Sequence, residues 1–355
     1  MQLNLPTSLF VANRFTQSGE DEFRLTARYR DALQAECERK PVLPALEEMA
    51  ASPLQDIPLL IRHFDPILRN ALNINGLEDK IVLLARTLIA RVRRNRDGYL
   101  ATILLQVDRD GSTTRHALYS AIIAIRICDA LQASEQDTVS LVCAALTTNV
   151  GAVRLHDEMS RQQAAPTTLQ RQLIGIHPLT SAAILTEAGV TDERWRQGIL
   201  LHHEKRDGMG YPFGLSDKDI PVHAHLMHIL DIVTAKLMPR SYRERLPIPQ
   251  ALGALYTSRH EPIDVHIAAH LVRILGLYPP GSFVELKNGE IALVVQVGAN
   301  AAAPLVASLS SASPQLIDTA QPSHRIAHDI TVPITQEVVS GFAKYWKLAR
   351  ESAVG

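Results

Sequence analysis

The sequence predicts a mainly α protein that closes on a small β module, and three features of its patterning predict this. Apolar residues recur at helical spacing from about Glu78 to about residue 275. After Pro279 and Pro280 the period changes to alternation in Ser282-Phe283-Val284-Glu285-Leu286 and again in Glu290-Ile291-Ala292-Leu293-Val294-Val295. Before residue 77 a helical pattern is interrupted by Pro41, Pro44, Pro53, Pro58 and Pro66, which predicts short pieces. At 355 residues the chain exceeds the size at which one core usually stops growing. The expected units are 1–76, an N-terminal helical region, 77–277, an all-helical domain, and 278–355, a β module with a C-terminal helix.

Taken in order, a long amphipathic helix is expected from Glu78 to Arg94, with Asp-Gly turns at Asp97 and Asp110. Further helices start near His116 and at Ser134, where Asp137 three residues on resembles a capping box. Loops are expected around Pro166 and after Glu204. Asn288-Gly289 joins two alternating runs, and both residue types tolerate positive φ, so a hairpin is predicted there. The Ala- and Ser-rich stretch from Gly298 to Pro314 is expected to be a long loop, and residues 334–350 return to a helical pattern.

Composition narrows the function classes. Hydrophobic residues at 46% and charged residues at 21% suit a folded chain rather than a disordered one. A formal net charge of -1 offers no global attraction for nucleic acid polymers or anionic membranes. Cys37, Cys128 and Cys143 stand far apart in apolar contexts, as buried free thiols in a reducing compartment would, so the cytoplasm is the expected location. Neither a leader pattern nor a membrane span is expected.

Chemistry concentrates in the histidines, of which there are 14. His116, His177 and the adjacent His202 and His203 lie where helices of one domain can bring them together, and Asp231 interrupts an apolar helical run. A carboxylate on an apolar face is costly unless paired, hydrogen bonded or bound to a cation. These residues together suggest a divalent-metal site. Each histidine taken alone is better explained as a hydrogen-bonded helix residue.

The segment His202-His203-Glu204-Lys205-Arg206-Asp207-Gly208-Met209-Gly210-Tyr211-Pro212 resembles the HHExxDGxGYP signature of the HD-GYP family. That family is a branch of the HD metal-dependent phosphohydrolases that hydrolyses cyclic di-GMP. The resemblance runs from about residue 80 to 333 and includes His177-Pro178, Asp231, Arg240-Ser241-Tyr242-Arg243 and Gly276-Leu277-Tyr278-Pro279-Pro280. It implies an all-helical HD-GYP bundle. It also implies that the Asp207, Gly208, Gly210, Tyr211 and Pro212 loop contacts GGDEF-domain cyclases with Tyr211 presented, and that Arg240 and Arg243 contact phosphate.

One segment departs from the family pattern. Where members read roughly A-A-L-L-H-D-I-G-K, this chain reads Ala144-Ala145-Leu146-Thr147-Thr148-Asn149-Val150-Gly151-Ala152. Thr148 and Asn149 replace the name-giving His-Asp, and Ala152 replaces a phosphate-contacting lysine. In the family that aspartate bridges two cations, which otherwise repel each other. His116, His177, His202, His203 and Asp231 supply four imidazoles and one carboxylate, enough for at most one weakly held iron or manganese ion. No other cofactor is expected. A regulator or adaptor in cyclic di-GMP signalling is therefore expected, with a residual phosphodiesterase as the alternative. His156-Asp157 is expected to be a family Pro-Asp-Glu segment rather than a relocated ligand pair, because two helical turns displace side chains by about 10 Å. His328-Asp329 lies in the β module, and His223, His225 and His228 are expected on a polar helix face.

Overall fold

The computed structural model describes residues 10–11, 24–48, 50, 52–105, 112–238, 253, 264–309, 315–342 and 344. Two short strands, β1 (Phe10–Val11) and β2 (Arg24–Leu25), pair antiparallel ahead of α1 (Ala27–Ala35). The next helix, α2 (Pro53–Arg69), runs unbroken through Pro58 and Pro66, against the expectation of short pieces. An interior proline costs about 3 kcal/mol or more. Here Ile57, Leu60, Phe64, Ile67 and Leu68 are buried along one face, and each such side chain returns about 1.5–3 kcal/mol.

Helix α3 (Leu77–Arg94) buries Ile81, Leu84, Ala85, Leu88 and Val92 at helical spacing. Glu78 and Asp79 in its first turn and Arg91, Arg93 and Arg94 in its last complement its dipole. The Asp97-Gly98 turn is not formed. These residues are instead the first turn of α4 (Arg96–Leu104), where the Asn95 side chain accepts from the Gly98 amide at 3.2 Å. Gly98 serves close packing, since a Cβ there would lie 2.4 Å from Asn95 Oδ1 and 2.9 Å from Pro53 Cγ. The turn expected at Asp110 lies outside the described residues.

Helix α5 (Thr113–Leu131) starts three residues before His116, capped by Ser112, and is buried along nearly its whole length. A helix apolar all round belongs at the centre of a bundle. Helix α6 (Glu135–Thr147) starts where expected, with Ser134 accepting from the Asp137 amide at 3.1 Å. A 3-10 turn at Val150–Ala152 then redirects the chain into α7 (Val153–Arg161). Helices α8 (Thr168–Glu187), α9 (Glu193–Leu201), α10 (Val222–Leu237) and α11 (Val265–Leu275) complete the bundle. One buried apolar cluster runs from Leu25 to Leu275, crossing residue 76 without a break. The segment Glu135–Arg161 is long and apolar enough to cross a membrane by length and composition, yet 83% of its apolar window is buried inside the bundle.

The β module is an antiparallel sheet of order β6-β5-β4-β3-β7, formed by β3 (Phe283–Leu286), β4 (Ile291–Gln296), β5 (Leu305–Ser308), β6 (Leu316–Asp318) and β7 (Ile326–Ile330). The hairpin at Asn288-Gly289 forms, with Gly289 at φ 82 and Glu285 opposite Ile291. The long loop expected from Gly298 to Pro314 is interrupted by β5. Val306 and Ala307 are fully buried there, so sheet packing overrides an Ala- and Ser-rich composition. Ala101 and Leu105, from α4 and the residue after it, share an apolar cluster with Phe283, Leu293, Val295 and Phe342. Helix returns at residues 336–342, inside the expected 334–350.

Candidate metal centre

His177 lies in the middle of α8, and His202 and His203 follow the last residue of α9. Their donor atoms all lie within 4.8 Å of one another. His177 Nδ1 stands 2.6 Å from Ile174 O, and His202 Nδ1 stands 2.6 Å from Ile199 O. A carbonyl can only accept, so both Nδ1 atoms carry the proton and both Nε2 atoms carry lone pairs. Those two Nε2 atoms face each other at 3.1 Å. Protonating either ring is opposed by burial, which pulls both histidines below their ordinary value. Converging imidazole lone pairs whose other nitrogens are held by backbone carbonyls fit a divalent transition-metal ion. His228 Nδ1 donates to His202 O at 2.9 Å and fixes the end of α9.

The other expected residues gather around this triad. His116 on α5 lies 3.6 Å from Asp231 on α10, and Asp231 acts electrostatically on both His202 and Tyr211. His156 was expected to lie away from the site, and the structure corrects this. Its ring meets His177 edge-on, centroids 5.4 Å apart, and burial lowers its pKa to about 4, opposed in part by Asp231. Two turns of a continuous helix would carry His156 away, whereas a 3-10 turn at 150–152 interrupts the helix before α7. Asp157 is turned elsewhere. Its Oδ1 accepts from the Thr113 amide and hydroxyl, both at 2.8 Å, and its Oδ2 pairs with Arg69.

Thr148, Asn149 and Ala152 lie at the end of α6 and in the 3-10 turn after it. Thr148 Oγ1 donates to Ala144 O at 2.7 Å, back into its own helix, and Asn149 is buried at the following turn. Ala152 lines a cavity of about 560 Å³ whose walls include Tyr29, Cys37, Arg69 and Arg154, and none of the clustered histidines. His225 and His228 are buried, which corrects the polar-face expectation. His328 sits on β7 beside Glu285 of β3, at 3.5 Å.

The loop after α9 is built by a residue whose role the sequence did not reveal. Glu204 is fully buried, and its carboxylate accepts from the Phe213 amide at 2.6 Å and the Leu215 amide at 2.9 Å. The Asp207 side chain accepts from the Met209 amide at 2.9 Å, and Gly208 adopts φ 75. Pro212 follows a cis peptide bond. Tyr211 is not presented outward: its ring stacks on His203 at 4.6 Å, and its amide donates to His203 O at 3.1 Å. Met209, 80% exposed, is the residue at the tip. Arg240 and Arg243 lie outside the described residues.

The buried histidines make the metal-free protein acid-sensitive. Burial holds His156, His177, His202 and His203 below their ordinary 6.5, so the unfolded chain binds more protons than the folded one. Stability should therefore be full above about pH 6.5 and fall as the pH drops from there toward 4. Melting temperatures of chelator-treated protein between pH 7.5 and 4.5 check this, and a flat profile would contradict it.

Residues 88–267 match the HD domain family model, just over half the chain, and the protein belongs to that family. Among curated proteins it is similar to a cyclic di-GMP phosphodiesterase of Pseudomonas aeruginosa, PA4108, 24% identical over 58% of this chain and 50% of that protein. It is 27% identical to the cyclic di-GMP phosphodiesterase response regulator RpfG of Xanthomonas campestris, over 46% of this chain and 44% of that one. A 3'3'-cGAMP-specific phosphodiesterase of Vibrio cholerae is 28% identical over 48% of this chain and 36% of its own length. The chain thus spans about half the length, or less, of these relatives. Among solved structures, Bd1817, an HDG"Y"P protein of Bdellovibrio bacteriovorus, shares the fold with TM-score 0.52 at 15% identity, over 71% of this chain and 81% of that one.

Proposed function

We propose that this chain is an HD-GYP-type domain of cyclic dinucleotide signalling that holds at most one divalent ion and acts by binding rather than by rapid hydrolysis. The observation that carries the proposal is the disposition of the carboxylates. Asp157 is pinned by Thr113 and Arg69, and Glu204 clamps the loop amides, which among the described residues leaves Asp231 as the carboxylate acting on the histidine triad. A pair of metal ions needs an anionic bridge, and neither the hydroxyl of Thr148 nor the amide of Asn149 supplies one. His177, His202 and His203 would hold the ion, which when bound polarises phosphoryl oxygen or water. Around it, the backbone carbonyls of Ile174 and Ile199 fix the His177 and His202 imidazoles, and His228 holds the backbone carbonyl of His202. The loop from Asp207 to Pro212, with Met209 at its tip, is the surface proposed for a GGDEF-domain partner, and Arg240 and Arg243 are proposed to contact the phosphates of cyclic di-GMP.

The test combines binding and turnover. Calorimetry with cyclic di-GMP should show binding, and incubation with Mn²⁺ or Fe²⁺ should yield no more hydrolysis than a protein-free control. Thr148→His with Asn149→Asp should raise the metal content from one ion to two and switch hydrolysis on. The names of the relatives favour a second reading, a one-ion phosphodiesterase. Turnover by the unaltered protein that His202→Ala removes would establish that reading in place of the first.

A further inference from the structure

We infer that His156 is a metal ligand of this centre, taking over from α7 the imidazole that Thr148 no longer provides. The inference rests on reading the His177, His202 and His203 triad as a metal site, and adds a residue that the motif resemblance assigned to another role.

Placement comes first. Asp157 is anchored to the Thr113 amide and hydroxyl and to Arg69, which fixes the rotation of α7 about its own axis. Successive residues of a helix point about 100° apart, so anchoring Asp157 on one side directs His156 to another. That side faces the triad: the His156 ring stands at 86° to His177 with centroids 5.4 Å apart, and Asp231, His116 and His202 all act on it electrostatically.

The second observation is an unmet bonding need. Nε2 of His156 is enclosed and has no hydrogen-bond partner among the described residues. Leaving a buried donor or acceptor unsatisfied is unfavourable, so such an atom calls for a partner of another kind. The partner must suit a nitrogen enclosed beside the imidazole cluster of His177, His202 and His203. Proton sharing fits poorly, because a charged imidazolium in this enclosure would lack its hydration. A divalent cation satisfies all four rings together.

Spacing supports the same partner. Two imidazoles bound tetrahedrally to one ion at about 2.0–2.1 Å place their centroids roughly 5 Å apart. The His156–His177, His177–His202 and His177–His203 separations are 5.4, 5.0 and 5.0 Å. The sequence neighbours His202 and His203 are closer, at 4.1 Å. His156 does not belong to the group whose donors all lie within 4.8 Å of one another, so it completes the shell by turning its ring when the ion arrives. Four neutral imidazoles with Asp231 at their margin favour a nitrogen-preferring ion such as Zn²⁺, Co²⁺ or Fe²⁺ over Mg²⁺ or Mn²⁺.

Titration of the full metal-free chain with Co²⁺, followed by calorimetry and by the visible absorption of the bound ion, tests this. The parent protein should take up one Co²⁺ per chain. His156→Phe, which removes the nitrogens and keeps a ring, should weaken binding at least tenfold and change the absorption band, and His202→Ala should abolish both. Far-ultraviolet dichroism establishes that each variant is folded. Should His156→Phe fail to fold, the strongly shifted exchangeable proton resonances of the Co²⁺-loaded parent decide: four ligand imidazoles support the inference and three overturn it. Parent-like affinity and spectrum in folded His156→Phe, with loss in His202→Ala, overturns this inference alone. Failure of the parent to bind Co²⁺ overturns it together with the metal reading of the triad.

Discussion

Asp56→Ala should lower the unfolding free energy by about 3–5 kcal/mol, the cost of leaving a buried charge without its partner. Asp56 on α2 is fully buried and accepts from Arg91 Nη1 of α3 at 2.8 Å, from the Tyr99 hydroxyl of α4, and from the Ala50 amide at 3.2 Å. Arg91 is itself only 8% exposed, so removing the carboxylate strands a guanidinium that water cannot reach. Burial, reinforced by the adjacent carboxylate, pushes the Tyr99 hydroxyl far up, so the phenol stays a donor and cannot neutralise Arg91 in place of Asp56. The network joins a residue before position 76 to two helices after it, inside one continuous apolar cluster. Urea denaturation of the variant should therefore show one transition at a lower midpoint. A change below about 1 kcal/mol, or separate transitions for the two regions, would contradict this account of the core.

Gly210→Ala should cost stability near the upper end of the about 1–3 kcal/mol typical of forced overpacking. A Cβ at this position would lie 2.3 Å from Lys205 N, 2.5 Å from Glu204 Cα and 2.6 Å from His203 O. All three are backbone atoms, so no side chain can swing aside. The displaced loop would also lose the Tyr211 amide bond to His203 O and the stacking of Tyr211 on His203, loosening the triad. Gly208→Ala is the informative comparison. Its added Cβ meets nothing closer than Gly214 O at 3.9 Å, so only the left-handed backbone at φ 75 is penalised, by roughly 1–2 kcal/mol. Thermal melting of the two variants should rank Gly210→Ala as the more damaging, and its metal affinity should fall too. Equal melting temperatures would contradict the close-packing argument.

Much of this was legible in the sequence because the signals were local. The cap at Ser134, the hairpin at Asn288-Gly289 and the change of period after Pro280 each depend on residues within a few positions of one another. The triad could be found because His202 and His203 are adjacent within a long motif, and His177 precedes a proline in the pattern that resembles the family. What escaped depended on tertiary direction. Pro58 and Pro66 look like helix breakers until the apolar face of α2 is seen packed. Asp97-Gly98 has the composition of a turn, while Gly98 is there to admit Pro53. His156 was misplaced because a short 3-10 turn interrupts the helix where a continuous one had been assumed. The commitment of Glu204 to the amides of Phe213 and Leu215 leaves no signal in spacing, since a carboxylate in a histidine-rich motif invites reading as a ligand.

On the proposed reading the helical bundle presents donors for a single ion. Elemental analysis of protein purified without oxygen, expressed as metal ions per folded chain, decides this. The account predicts one transition-metal ion, lost on His202→Ala. Two tightly bound ions per chain would contradict it, because any carboxylate beyond Asp231 that joined them would have to leave the partners that Thr113, Arg69 and the loop amides now provide to Asp157 and Glu204.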